Sequence, residues 1–197
     1  MNNQWNSRRH STLESVSALA GLLADVDAEP RSLVVAYLDS KRQLARAFQG
    51  LSEDLWYDPV PLAAVKLQIE VAANALFPDI PIRYRMVRGY GRVHEMLFAY
   101  FCARVGREIT ADELRVLTGD AVHTERRARD LRDLGLILDA FENGGLTVYV
   151  LRDVVPKSGV GAASIVAKNV KNDKKLTSLA RNDLLARVHG PDIFESQ

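Results

Sequence analysis

The sequence predicts a mainly α protein. A helical amino-terminal region leads into three helices and a β-hairpin, and a helical extension closes the chain. Three observations predict this. Apolar residues recur at three-to-four spacing through most of residues 11–80 and again through 92–134, the mark of helices with one buried face. The period then shortens to a strand-like pattern in Leu136–Ala140 and Leu146–Leu151. Between those two runs stands Glu142-Asn-Gly-Gly145, whose Asn and Gly tolerate the positive φ of a tight turn. The expected divisions are 1–81, a helical region; 82–155, three helices and hairpin behind a basic lead-in; and 156–197, a linker and a last helix.

Taken in order, residues 1–10 are polar and read as loose. Ser11-Thr-Leu-Glu14 reads as a capping box, and Leu13, Val16, Ala20 and Leu23 follow as a stripe. The stripe fits either core or a short self-association seam. Pro30 opens a second helix running to Gly50, with Val34, Leu38, Ala45 and Phe48 expected on its buried side. Lys41, Arg42 and Arg46 suit the helix dipole. Trp56 and Tyr57, ahead of Pro59 and Pro61, read as a lid over that helical core. Pro61–Phe77 is a strongly apolar helix, with Leu62, Val65, Ile69, Ala73 and Leu76 inward, and Pro78–Pro81 ends it.

Residues 82–92 are the most basic stretch. Arg83, Arg85, Arg88 and Arg92 occur with no acid between Asp79 and Glu95, interleaved with Tyr84 and Tyr90. Such a segment can grip phosphates and stack on bases. It is equally an edge strand or linker whose arginines pair with acids elsewhere.

Arg92–Val105 is a helix buried through Val93, Leu97, Tyr100, Phe101 and Val105, and Gly106 stops it. Thr110–Glu113 is a second capping box, followed by inward Leu114 and Leu117 and a stop at Gly119. Asp120 is the expected cap of a third helix, Ala121–Leu134. Two short helices joined by a Gly-containing turn have helix-turn-helix spacing. On a wheel of about 100° per residue, Ala121, Ala128, Leu131 and Gly135 share one side of the third helix. Val122, His123, Arg126, Arg129, Asp130 and Asp133 share the other. Arg126–Asp130 and Arg129–Asp133 stand four apart, so this outer face also reads as a salt-bridged, solvated surface.

Residues 92–152 resemble a winged-helix domain. The run His123-Thr-Glu-Arg-Arg-Ala-Arg-Asp-Leu-Arg-Asp-Leu-Gly135 is similar to the recognition helices of winged-helix modules attached to His-Asn-His restriction endonucleases. The resemblance implies major-groove reading by Val122, His123, Arg126, Arg127 and Arg129. Thr124 and His123, at the helix start, would contact base or phosphate, and Arg83, Arg85, Arg88 and Arg92 would hold the backbone. The hairpin is then the wing, although its tip offers Glu142 and no cation.

Composition bounds these expectations. The 197 residues carry a net charge of +1, so any polyanion affinity must be local. Within 92–152, 9 Arg and Lys stand against 10 Asp and Glu, so the winged region itself is near neutral. The single cysteine, Cys102, cannot form an internal disulfide, which favours a cytoplasmic location, and no stretch is long enough for a membrane span. After Pro156, Lys-Ser-Gly-Val-Gly reads as a flexible linker, and Lys168, Lys171, Lys174 and Lys175 as a solvated basic run. Thr177–His189 is a last helix, expected to dock on the amino-terminal helices or a second subunit.

No catalytic motif stands out. Phe98 occupies the position where a zinc-protease helix opening at His94-Glu95 needs its second histidine, and the four histidines show no ligand spacing. No cofactor or metal is expected. The expected partner is double-stranded DNA, bound by a homodimer in transcription regulation or in a restriction or defence system. The alternatives are a protein-interaction winged helix, or a subunit of a nuclease complex.

Overall fold

A computed structural model describes residues 3–53 and 62–188. The chain is mainly α. Among the described residues there are nine α-helices, one 3-10 turn and a three-stranded antiparallel sheet, in the order expected of three helices, hairpin and helical extension. These residues cluster into two compact units. One is formed by the first two helices and Asp112–Thr124, the other by the rest.

In the first unit, α1 (Asn3–Ala24) and α2 (Pro30–Glu53) form a helical hairpin. Residues 3–10, expected to be loose, are helical. Trp5 meets Phe48 edge to face with ring centroids 5.7 Å apart, and Arg8 donates to the Arg46 carbonyl at 2.9 Å. Ser11 therefore caps nothing, and its hydroxyl donates back to the Arg8 carbonyl within the helix. The seam is small and polar. Thr12, Ser15, Ser40 and Ala47 are buried, Ser40 donates to the Ser15 carbonyl at 2.8 Å, and Thr12 reaches the Gln43 carbonyl. Val34, Leu38 and Phe48, expected on the buried side of α2, are substantially exposed, and so are Leu13, Val16 and Leu23 of the stripe that fits either core or a self-association seam. The helices approach closely on their small residues, which turns the large ones outward. Trp56 and Tyr57 lie outside the described residues. α6 (Ala111–Leu117) begins one residue after Thr110, as expected of the second capping box.

The second unit holds the larger core. α3 (Leu62–Leu76) buries Leu62, Val65, Ile69 and Ala73, while Leu76 is left exposed. Residues 82–92 are not an edge strand. Ile82–Arg85 make one helical turn, α4, and Arg92 opens α5 (Arg92–Cys102), which buries Leu97, Phe98 and Phe101. α5 stops three residues earlier than expected and leaves Val105 exposed. The sheet order is β1-β3-β2, from Ile109–Thr110, Leu146–Leu151 and Leu138–Asn143, with Ile109 opposite Tyr149 and Phe141 opposite Val148. Gly144 and Gly145, at φ 58° and 79°, make the two-residue turn joining β2 to β3.

The largest departure from expectation follows the hairpin. Ser158–Asn172, read as part of a linker and basic tail, is the central helix α8, with Ala162, Ile165, Val166 and Val170 buried. It packs on α3, on α4 and on the 3-10 turn Leu131–Leu134. Gly161 lets it do so, because a Cβ there would stand 2.7 Å from Ile69 Cδ1 and from the Leu134 carbonyl oxygen. α9 (Ser178–Val188) docks on α8.

Candidate nucleic-acid interface

The expected third helix is shorter than its periodicity indicated. α7 runs Thr124–Asp130 and tightens into the 3-10 turn Leu131–Leu134, which Gly135 ends at φ 78°. The turn before α7 is held by two non-glycine residues in the left-handed region, Asp120 at φ 57° and His123 at φ 62°. Asp120 does not cap α7; its carboxylate lies 3.5 Å from Lys41 Nζ. Thr118 and Thr124 share a 2.8 Å hydroxyl contact, and Thr124 Oγ1 also donates to the Ala121 carbonyl at 2.7 Å. Thr124 is 1% exposed, so burial withdraws it from the expected contact set.

The helical wheel otherwise sorts as expected. Ala128, Leu131 and Gly135 are buried and Ala121 is half-buried; Leu134, which the wheel does not place inward, is buried too; Val122, His123, Arg126 and Arg129 are exposed; Arg127 is half-buried. The two acids on the outer side are not bound to the arginines. Lys168 of α8 places Nζ 2.6 Å from Asp133 Oδ2 and 3.6 Å from Asp130 Oδ1. Asp130 Oδ2 lies 3.6 Å from Nε2 of buried His94 on α5, and the Asp130 carbonyl accepts from Tyr90 Oη at 3.0 Å. The Tyr90 ring sits edge to face against His94, with Lys168 Nζ 5.5 Å from its centroid. The i,i+4 pairs expected from sequence are thus replaced by a Lys168-centred network. Among the described residues, Arg126, Arg127 and Arg129 make no ion pair.

Burial sets the titration of this network. It lowers the His94 pKa against an opposing contribution from Asp130, and Arg127 and Lys168 push it the same way as burial. Burial, then Asp133 and Asp130, raises the Tyr90 phenol well above its ordinary range, so it acts as a neutral donor. A groove of about 500 Å³ opens beside the network, lined by Arg126, Lys168, Lys171 and Asn172 together with the two acids.

The basic lead-in divides. Arg83 donates to Tyr84 Oη at 2.6 Å, lies 3.6 Å from Asp173, and stacks 4.7 Å over the Tyr84 ring. Tyr84 in turn donates to Asp173 at 2.7 Å, and this bond, ahead of the Lys175 amide, lowers the Asp173 pKa. Asn169 donates to the Tyr84 and Met86 carbonyls, both at 2.9 Å, fastening the segment to α8. Arg83 is therefore engaged internally, which is the alternative its sequence context allowed. Arg85 is half-buried with its Nε unpartnered, Arg88 is exposed, and Arg92 is exposed at the start of α5. Tyr90 of the lead-in bonds directly to the Asp130 carbonyl, and α8, expected as a linker and basic tail, packs on both Ile82–Arg85 and the 3-10 turn that follows α7. The signal for it was present: buried Ala162, Ile165, Val166 and Val170 have helical spacing, which puts Lys168 and Lys171 on one flank. At the hairpin tip, Glu142 accepts from Thr147 at 2.6 Å, and Asn143 donates to Glu108 at 2.7 Å.

Other chemistry stays in the background. Burial pushes the Cys102 thiol up to about 11, making it a poor nucleophile. No cluster of three or more metal-ligating side chains occurs among the described residues, and no described helix is long and apolar enough to cross a membrane.

Residues 94–138 match the family model described as the KpnI N-terminal domain, which ties this part of the chain to a restriction-enzyme-related domain. The match begins at His94 and ends at Leu138, and so contains α6, α7 and the entry to β2. No curated protein and no solved structure matches the chain.

Proposed function

We propose that the chain is a sequence-specific double-stranded DNA-binding protein of a restriction or defence system, acting in the cytoplasm, with 92–152 as a winged helix. α7 enters the major groove, and Arg126 and Arg129 donate paired hydrogen bonds to guanine edges, each worth roughly 1–3 kcal/mol of discrimination. Val122 and His123 flank them at the entry to the helix. Arg88 and Arg92, with Lys171 across the groove from Arg126, hold phosphates. The observation that carries this reading is the charge sorting on α7. Lys168 takes up both Asp130 and Asp133, while Arg126 and Arg129 remain exposed without ion pairs among the described residues. The match to a restriction-enzyme-related domain across the same residues supports the same partner.

The reading is tested by titrating binding to random and selected duplexes against salt. DNA binding of this kind loses affinity with a log–log slope of about −0.9 per phosphate neutralised, and a selected site retains an advantage at every salt concentration. A flat salt response would point instead to a protein partner.

A further inference from the structure

The lysines that end α8 do not form a loose tail. Lys171 lies in the last turn of the helix, and Lys174 and Lys175 stand in the turn leading to α9. All three are exposed, and none makes an ion pair among the described residues. The turn that carries the last two is fastened. Asp173 Oδ1 accepts from the Lys175 amide at 2.9 Å, and the Leu176 amide donates to the Asp173 carbonyl at 3.3 Å. Arg181 of α9 donates to that same carbonyl at 3.1 Å. Cations on a fixed turn lose less freedom when a partner binds them.

The acid of this segment is taken up from inside. Asp173 is the only acid between Lys168 and Asp183. Its side chain is 19% exposed, accepts from Tyr84 Oη at 2.7 Å and lies 3.6 Å from Arg83. The lysines beside it therefore keep their charge uncompensated. The sorting seen on α7 recurs: another element holds the acid, and the cations face out.

The end of α8 also touches both basic regions. Lys171 lines one groove with Arg126 of α7. Asp173 faces Tyr84 and Arg83 of the lead-in, and Asn169 holds the Met86 carbonyl, close in sequence to exposed Arg88.

We infer that Lys171, Lys174 and Lys175 join these two regions into one phosphate-holding surface, so that the grip on duplex DNA extends onto the α8–α9 turn. That turn lies beyond the winged helix and beyond the matched residues 94–138. The inference rests on the reading of α7 as the DNA-reading helix. Charge selects the partner: a row of uncompensated cations complements a row of phosphates. Lysine fits holding rather than reading, because its ammonium is a point charge without the planar fork that pairs with a base edge. The turn supplies the cations that the hairpin tip, with Glu142, lacks.

The test is fluorescence anisotropy of the full chain and of the Lys174→Ala, Lys175→Ala double variant, on a selected and a random duplex across a salt series. At about 0.1 M salt the variant is expected to bind both duplexes at least tenfold more weakly, with a log–log slope shallower by about 1.8 and an unchanged ratio between the duplexes. Lys174→Arg, Lys175→Arg is expected to keep both affinity and slope. An unchanged slope in the alanine variant, while the intact chain binds, overturns this inference and leaves the reading of α7 standing. An intact chain without salt-dependent duplex affinity overturns that reading, and this inference with it. An alanine variant that melts earlier yet keeps its affinity shows lysines that only complement the dipole of α8, and likewise overturns the inference. So does a loss confined to the selected duplex.

Discussion

Lys168 Nζ lies 2.6 Å from Asp133 Oδ2, so a cation of α8 neutralises an acid on the outward side of the helix proposed to read DNA. Lys168 also reaches Asp130 at 3.6 Å, and through it the buried His94. Arg126 and Arg129 of α7 face solvent, and the acids four residues on pair with a cation of another helix.

Removing that cation has a distinctive consequence. Lys168→Met frees Asp130 and Asp133 to pair with Arg126 and Arg129 and to repel phosphate. Duplex affinity at low salt is expected to fall roughly tenfold or more, beyond the loss from one distant charge. Stability falls little, under about 1 kcal/mol, because the pair is partly solvated. Adding Asp133→Asn to Lys168→Met restores much of the binding. Fluorescence anisotropy on the single and double variants checks this, and failure of the rescue would contradict the role given to Lys168.

Base reading and phosphate holding separate by substitution. Arg126→Ala is expected to relax sequence preference by about 1–3 kcal/mol at the affected position while leaving nonspecific affinity nearly intact. Arg88→Ala is expected to weaken all sequences alike and to reduce the salt slope by about 0.9. Competition between selected and random duplexes distinguishes the two. Equal behaviour of the two variants would show that their roles are not divided as proposed.

The close approach of α8 predicts where the second unit is least tolerant. Gly161→Ala sets a Cβ against Ile69 Cδ1 and the Leu134 carbonyl, and is expected to cost about 1–3 kcal/mol. Gly135→Ala is expected to cost more, because it adds a clash with the Lys157 carbonyl to a φ of 78°. Chemical denaturation of both variants gives the order. A neutral Gly161→Ala would mean that α8 does not pack as described.

His94 sets a pH dependence. Its pKa in the folded chain is lowered from the ordinary 6.5, chiefly by burial. The unfolded chain therefore binds its proton first as pH falls. Stability is fully present above 6.5 and declines as pH drops from there toward the folded value. His94→Gln is expected to flatten that part of the stability–pH curve. An unchanged slope between neutral and mildly acidic pH would assign the proton uptake to another group.

Much of the fold was legible because periodicity reports which side of a segment is apolar. α3, α5 and the hairpin turn follow directly from Val65–Ile69–Ala73, from Leu97 with Phe101, and from Gly144-Gly145. Periodicity does not report what covers a stripe, so Val34, Leu38 and Phe48 were expected in a core and stand exposed. α8 was misread because Gly159 and Gly161 resemble linker residues, whereas Gly161 is required by contact with Leu134, distant in sequence. The outward arginines of α7 were legible from the wheel. Their lack of ion pairs was not, since it depends on Lys168, which lies 35 residues from Asp133.

The most direct measurement is the duplex affinity of the Arg126→Ala, Arg129→Ala double variant against the intact chain, at one low salt concentration with folding confirmed by circular dichroism. A loss of at least about thirtyfold for a selected site is predicted, two reading contacts at roughly 1–3 kcal/mol each being removed. Unchanged affinity in a folded double variant would contradict the assignment of α7 as the DNA-reading helix.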